Sequence, residues 1–139
     1  MLQNKKYQIF VSSTYEDLKD ERKCVIENIL SISHLAVGME LFVASDDEQF
    51  DYIKKIIDNC DYYVLIIGGR YGSIHPVTQK SYTQMEFEYA LNKGLPILVF
   101  PYENIEKLPL DKRDTDITNI KNFISLASDN RMCRFWTTK

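Results

Sequence analysis

Residues 60–91, CDYYVLIIGGRYGSIHPVTQKSYTQMEFEYAL, decide the fold. Tyr62 to Ile67 is an uncharged run of β-branched, aliphatic and aromatic residues, the composition of a strand buried on both faces in a parallel sheet. The run stops at Gly68-Gly69, where the backbone can turn sharply and approach a ligand closely. After a polar loop, Ser81-Tyr82-Thr83-Gln84-Met85-Glu86 reads as the start of a helix. Ser81 or Thr83 is its expected cap, with an acidic residue in the first turn. Open α/β sheets bind ligands outside the carboxyl ends of their strands. A carboxylate just past this strand's C-terminal loop is therefore a candidate functional group, and that residue is Glu86.

Working outward, Tyr7 to Ser12 reads as a first strand, ending in the hydroxyls of Ser12, Ser13 and Thr14. These lie where a doubly wound sheet presents a ligand; equally, Ser13 or Thr14 caps the next helix, with Glu16 and Asp17 at its positive end. That helix is expected from about Tyr15 to Ser33, with Leu18, Arg22, Val25, Ile26, Ile29 and Ile32 forming a stripe at three- and four-residue spacing. Arg22 falls on the apolar stripe, and a buried ion pair is preferred there to a ligand contact. Leu35 to Phe42 reads as a short second strand region broken by Gly38; Glu40 within it either faces solvent or joins the site. Ser45 or Asp46 then caps a second helix with Phe50, Ile53, Ile56, Ile57 and Cys60 on one face.

Beyond the Glu86 helix, Gly94 reads as a C-terminal cap and Leu95 to Pro101 as a fourth buried strand with prolines at its ends. Ile117, Ile120, Phe123, Ile124 and Ala127 mark a last helix, and Cys133 to Trp136 a short edge strand. Strands alternate with helices throughout, so the fold class is α/β with a parallel sheet of about five strands. A covering helix would normally follow Trp136, which points to the N-terminal domain of something longer.

The 139 residues make a single domain of ordinary globular composition, 45% hydrophobic and 27% charged. The net charge of −3, with no basic run exceeding the pair Lys5-Lys6, argues against a nucleic-acid binder driven by phosphate contacts. No membrane-length apolar run or signal peptide is present in the sequence. Cys24, Cys60 and Cys133 are far apart without C-x-x-C spacing and read as reduced thiols in a cytoplasmic protein. With His34 and His75 the only histidines, neither a zinc site nor a cofactor site is expected.

No P-loop, G-x-G-x-x-G fingerprint or G-x-S-x-G elbow occurs in the chain. Chemistry therefore falls to carboxylates, hydroxyls and tyrosines. A single carboxylate can stabilise an oxocarbenium-like transition state or attack it as a nucleophile. Glu86, one turn from Tyr82, could take that role by gripping ribose hydroxyls, but from the residues alone the preferred reading is a partner of the helix dipole, the usual role of a first-turn glutamate.

A resemblance adds to this reading. The stretches Phe10 to Leu18 with Glu21-Arg22, Gly38-Met39-Glu40, Ala44-Ser45-Asp46, Cys60 to Ser73, and Ser81-Tyr82-Thr83 with Glu86, Tyr89 and Ala90 together resemble the family catalogued as domain of unknown function 4062. The match spans about Tyr7 to Phe100. That family is similar to the Toll/interleukin-1 receptor (TIR) superfamily and, more distantly, to the nucleoside deoxyribosyltransferases. The resemblance implies a flavodoxin-like (TIR-like) three-layer sandwich in a bacterial defence or signalling protein, antiphage defence included, often with a C-terminal NTPase or repeat module. TIR domains that cleave NAD carry a Ser-x-Trp-x-x-x-Glu-type motif opening a helix. The resemblance places its glutamate on Glu86 and its aromatic on Tyr82, a tyrosine where those domains have tryptophan.

It therefore implies that Glu86 carries cleavage of the nicotinamide–ribose bond of NAD or a related nucleotide. Ser12, Ser13 and Thr14 would lie beside that small-molecule substrate, with Gly69, Arg70 and Tyr71 on the opposing loop. Self-association would complete such a site. Many TIR domains are assembly modules only, so a non-catalytic self-association module or a sensor of a nucleotide signal remains the alternative. Glu88, two residues on, points elsewhere on the helix and serves as an internal control.

Overall fold

A computed structural model describes residues 6–15, 17–38, 47–129 and 132–137. Its elements alternate: β1 (Gln8–Ser12), α1 (Lys19–Ser31), β2 (Leu35–Gly38), α2 (Asp47–Asp58), β3 (Tyr62–Ile67), α3 (Tyr82–Lys93), β4 (Ile97–Pro101), α4 (Thr118–Ser128) and β5 (Met132–Cys133). The strands form one parallel five-stranded sheet in the order β2-β1-β3-β4-β5. This is the flavodoxin-like sandwich expected from the sequence. The winding reverses after β2, so β1 and β3 are neighbours whose outgoing chains leave toward opposite faces. A crevice at their carboxyl ends follows from that topology alone.

The uncharged run of β3 works because both its faces are covered. Tyr63, Leu65 and Ile67 join Phe10 and Val99 in a core roofed by Phe50, Ile53 and Ile57 of α2, Phe87 and Ala90 of α3, and Ile120, Phe123 and Ala127 of α4. Val64 and Ile66 join Val11 on the other face, under Leu18 and Ile29. Phe10 and Tyr63 are partners in register and stack with ring centroids 5.5 Å apart. Phe87 is 0% exposed; cutting a buried phenylalanine to alanine costs about 3–5 kcal/mol. The face carrying α1 keeps an apolar groove of about 540 Å³ between that helix and Trp136, floored by Val64, Ile66, Leu98 and Phe100.

Several boundaries differ from the sequence reading. Helix α1 begins at Lys19, four residues later than expected, and its N-cap Leu18 makes no side-chain cap bond. The hydroxyls expected to cap it are engaged elsewhere. Ser13 donates to the Thr14 carbonyl, and Thr14 donates to Asp17. Strand β4 starts at Ile97 because Pro96 has no N–H to give the ladder, although its carbonyl accepts from the Tyr63 amide at 3.0 Å. Strand β5 is only the two residues Met132–Cys133; beyond it Trp136 bridges to Tyr102 and packs edge-on against its ring at a centroid distance of 4.9 Å. At α3 the caps are as read: Ser81 accepts from the Gln84 amide, and Gly94 closes the helix at φ +80°, where glycine is unstrained. Glu16, the strand continuation through Met39–Phe42, Glu40 and the caps Ser45 and Asp46 lie outside the described residues. No helix among the described residues is long and apolar enough to cross a membrane.

Candidate active site

Glu86 is the fifth residue of α3, which has no acidic residue in its first turn. Being one turn in, it is poorly placed as a dipole partner, because that effect fades beyond the first turn. Its neighbours decide its character instead. Glu86 is 0% exposed, packed where α3 crosses the end of β1. Ser12, the last residue of β1, donates its Oγ to Glu86 Oε1 at 3.2 Å. Oε2 is buried with no hydrogen-bond partner. Burial pushes the carboxyl up to about 8, and the Ser12 hydroxyl and then the Arg22 guanidinium pull the other way. At neutral pH the group is therefore mostly protonated. A buried, unpaired carboxylate would be far costlier.

Two further groups complete this cluster. Tyr63 on β3 is wholly buried, and its phenol is held well above its ordinary value, first by burial and then by the charge of Glu86. Arg22 is 1% exposed and donates from Nη1 to Ser13 Oγ at 2.9 Å. Thus β1 ends in two adjacent hydroxyls, one turned to Glu86 and the other to Arg22. Arg22 had a visible signal, a basic residue on an apolar stripe. Tyr63 had none, since an aromatic in a buried strand looks like packing.

The remaining candidates separate into two groups. Thr14 lies beyond Ser12 at the rim: a Cβ on Gly72, which has φ +99°, would come 3.0 Å from Thr14 Cγ2 and 3.7 Å from Thr83 Oγ1. Tyr82 is buried one turn before Glu86, edge-on to Phe50 and to His75 at centroid distances of 6.2 and 5.7 Å. Gly69, Arg70 and Tyr71 turn instead to the segment before α4. A Cβ on Gly69 would collide with Arg113 Cβ at 2.5 Å and with the Lys112 carbonyl at 2.8 Å. Arg70 donates to the Asp111 carbonyl. The Tyr71 amide donates to Asp114 Oδ2 at 2.8 Å, and its hydroxyl donates to Gln84. Glu88 faces outward, paired with Lys80 at 2.9 Å.

A cleft of about 350 Å³ opens at the same carboxyl edge on the α1 side, bordered by Asp17, Lys19, Gly68, Gly69, Lys112 and Trp136. Asp17 holds the one carboxyl there that burial pushes upward, opposed by the bond from Thr14. Cys60 is buried, and burial raises its thiol to about 11; such a thiol is inert. Among the described residues no cluster of three or more His, Cys, Asp or Glu is placed to hold a metal.

The family described as domain of unknown function (DUF4062) matches residues 8–139. Comparison with curated proteins gives no match. Among solved structures, the chain is similar to the Clostridium botulinum CMP N-glycosidase BcmB, with 16% identity and a TM-score of 0.51, covering 94% of this chain and 89% of that one. It is also similar to a diflavin flavoprotein A3 from Nostoc sp., with 13% identity and a TM-score of 0.51, covering 98% and 83%. At such identities these likenesses establish the fold.

Proposed function

We propose, from the premise that this chain belongs to the DUF4062 family, that it cleaves the N-glycosidic bond of NAD or a related nucleotide, with Glu86 as the reacting carboxyl. The observation that carries this reading is the buried Glu86 carboxyl at the end of β1, with one oxygen bonded to Ser12 and the other unpartnered. Such an acceptor, held in a dry environment by a fixed donor, is poised to take a ribose hydroxyl and to offset positive charge growing at C1′. The C1′–N bond breaks, the base leaves with the bonding pair, and water supplies hydroxide to C1′ and a proton to the products. The ionised carboxylate is the working form. Turnover should therefore rise with pH up to about 8, the value to which burial pushes Glu86. That a protein of the same fold is named a CMP N-glycosidase fits the reaction class.

A second reading, a non-catalytic interaction module, is favoured by one observation: Glu86 is 0% exposed. Catalysis requires substrate, or a neighbouring copy of the chain, to open the rim around Thr14, Gly72 and Thr83. Release of nicotinamide from NAD and of cytosine from CMP, measured at high protein concentration for wild type, Glu86→Gln and Glu88→Gln, separates the two. Release lost in Glu86→Gln alone supports the enzyme; no release from either nucleotide in any protein favours the module.

A further inference from the structure

The cleft on the α1 side of the carboxyl edge is walled by the segments that follow β1, β3, β4 and β5, and Glu86 does not border it. Asp17, Asp20 and Glu21 line it beside Lys19 and Lys112. With three carboxyls against two ammonium groups, a bare phosphate would gain little there. A ligand that also offers N–H donors would gain more.

Two features narrow that ligand further. Asp17 Oδ2 is enclosed without a hydrogen-bond partner, although Oδ1 accepts from Thr14. A Cβ built on Gly68 would come 3.3 Å from Oδ2, so the bare glycine leaves space for a donor in front of that oxygen. Trp136 is already fixed: its indole N–H donates to the Phe100 carbonyl at 2.9 Å, and its ring stands edge-on to Tyr102. Carboxylates accept from the exocyclic amines of bases, and aromatic rings stack on base faces. We infer that this cleft is a nucleobase pocket for a nucleotide whose base carries an exocyclic amino group, with Asp17 as the acceptor and Trp136 as the stacking wall. Lys112, which enters no ion pair among the described residues, borders the same cleft and meets the phosphate. Uracil, with a carbonyl where cytosine has an amine, turns an acceptor toward Asp17 and is disfavoured. The inference does not rest on the N-glycosidic reading, because binding here needs no turnover.

Trp136 is the chain's single tryptophan, so its fluorescence reports on this cleft. Asp17 and Lys112 border the cleft but not the apolar groove that Trp136 also lines, so their variants assign the signal. CMP should change the emission saturably, and bind about tenfold or more tighter than UMP. Glu86→Gln should keep that preference, Asp17→Asn should erase it, and Lys112→Ala should weaken both nucleotides alike. If Asp17→Asn does not fold, Gly68→Ala, whose methyl takes the space before Oδ2, should erase the same preference. No response to CMP, equal affinity for CMP and UMP, a preference that survives Asp17→Asn, or one lost in Glu86→Gln overturns the inference. A preference that follows Asp17 in a protein that cleaves nothing upholds the pocket while the N-glycosidic reading fails. Cleavage without that preference overturns the pocket and leaves the reading standing.

Discussion

The two sides of the sheet's carboxyl edge divide chemistry from space. On the α3 side, Ser12, Tyr63 and Glu86 bring convergent polar groups together with no room between them. On the α1 side, Asp17, Lys19, Lys112 and Trp136 border a cleft of about 350 Å³; its partly buried Asp17 accepts from Thr14 through Oδ1 and, like Glu86, keeps its other oxygen without a hydrogen-bond partner. The difference teaches that volume alone is a poor guide to a site here. Water fills a cleft at little cost, whereas enclosing a carboxyl with a free oxygen costs stability that another benefit must offset. Both sides carry such a carboxyl, and Glu86 is the wholly buried one, which is the reason it is the reacting group we propose.

The comparison breaks most sharply at Glu86. If the α3 side is the site, Glu86→Gln should lower nucleotide cleavage by about 10²–10⁴-fold, read as base release by chromatography. A retained rate would move attention to the α1 cleft.

The same residue gives the next largest effect through stability. The Glu86 carboxyl ionises at about 8 in the folded chain, against an ordinary 4.5. Between those values the folded state keeps a proton that the unfolded state has lost, so stability should fall as pH rises through this window. The slope approaches about 1.4 kcal/mol per pH unit for one such group. Urea melts at pH 5, 6, 7 and 8 should show that decline in wild type and a flatter profile in Glu86→Gln. The raised Asp17 on the α1 side acts in the same direction and should leave a residual slope at the acid end.

Gly69 probes the opposite side. A methyl there must displace Arg113 and the Lys112 carbonyl, so Gly69→Ala should cost about 1–3 kcal/mol in a urea melt. If Gly69 only fastens the segment before α4, the folded variant should retain the Glu86 titration. The smallest effect belongs to Glu88→Gln, which removes a half-exposed pair with Lys80. It should change stability by no more than about 1 kcal/mol and leave cleavage near wild type. A large loss there would mean that the whole N-terminal half of α3 matters, not one carboxyl.

The sequence by itself determined the layers and most of their order. Tyr62–Ile67 is too uniformly apolar for anything but a strand covered on both faces, and alternation with amphipathic helices forces a parallel sheet. Ser81 and Gly94 were legible as caps because capping is local chemistry between residues a few positions apart. Glu86 stood out by its place after a central strand. What the tertiary structure decided is how distant groups meet. Ser12 and Glu86 are 74 positions apart along the chain, and no local pattern couples them. Nor does one reveal that Ser13 receives Arg22 rather than capping α1, or that Gly69 makes room for Arg113. Local hydrogen bonds and periodicity are written in neighbouring residues; desolvation and charge coupling exist only once the chain has closed around them.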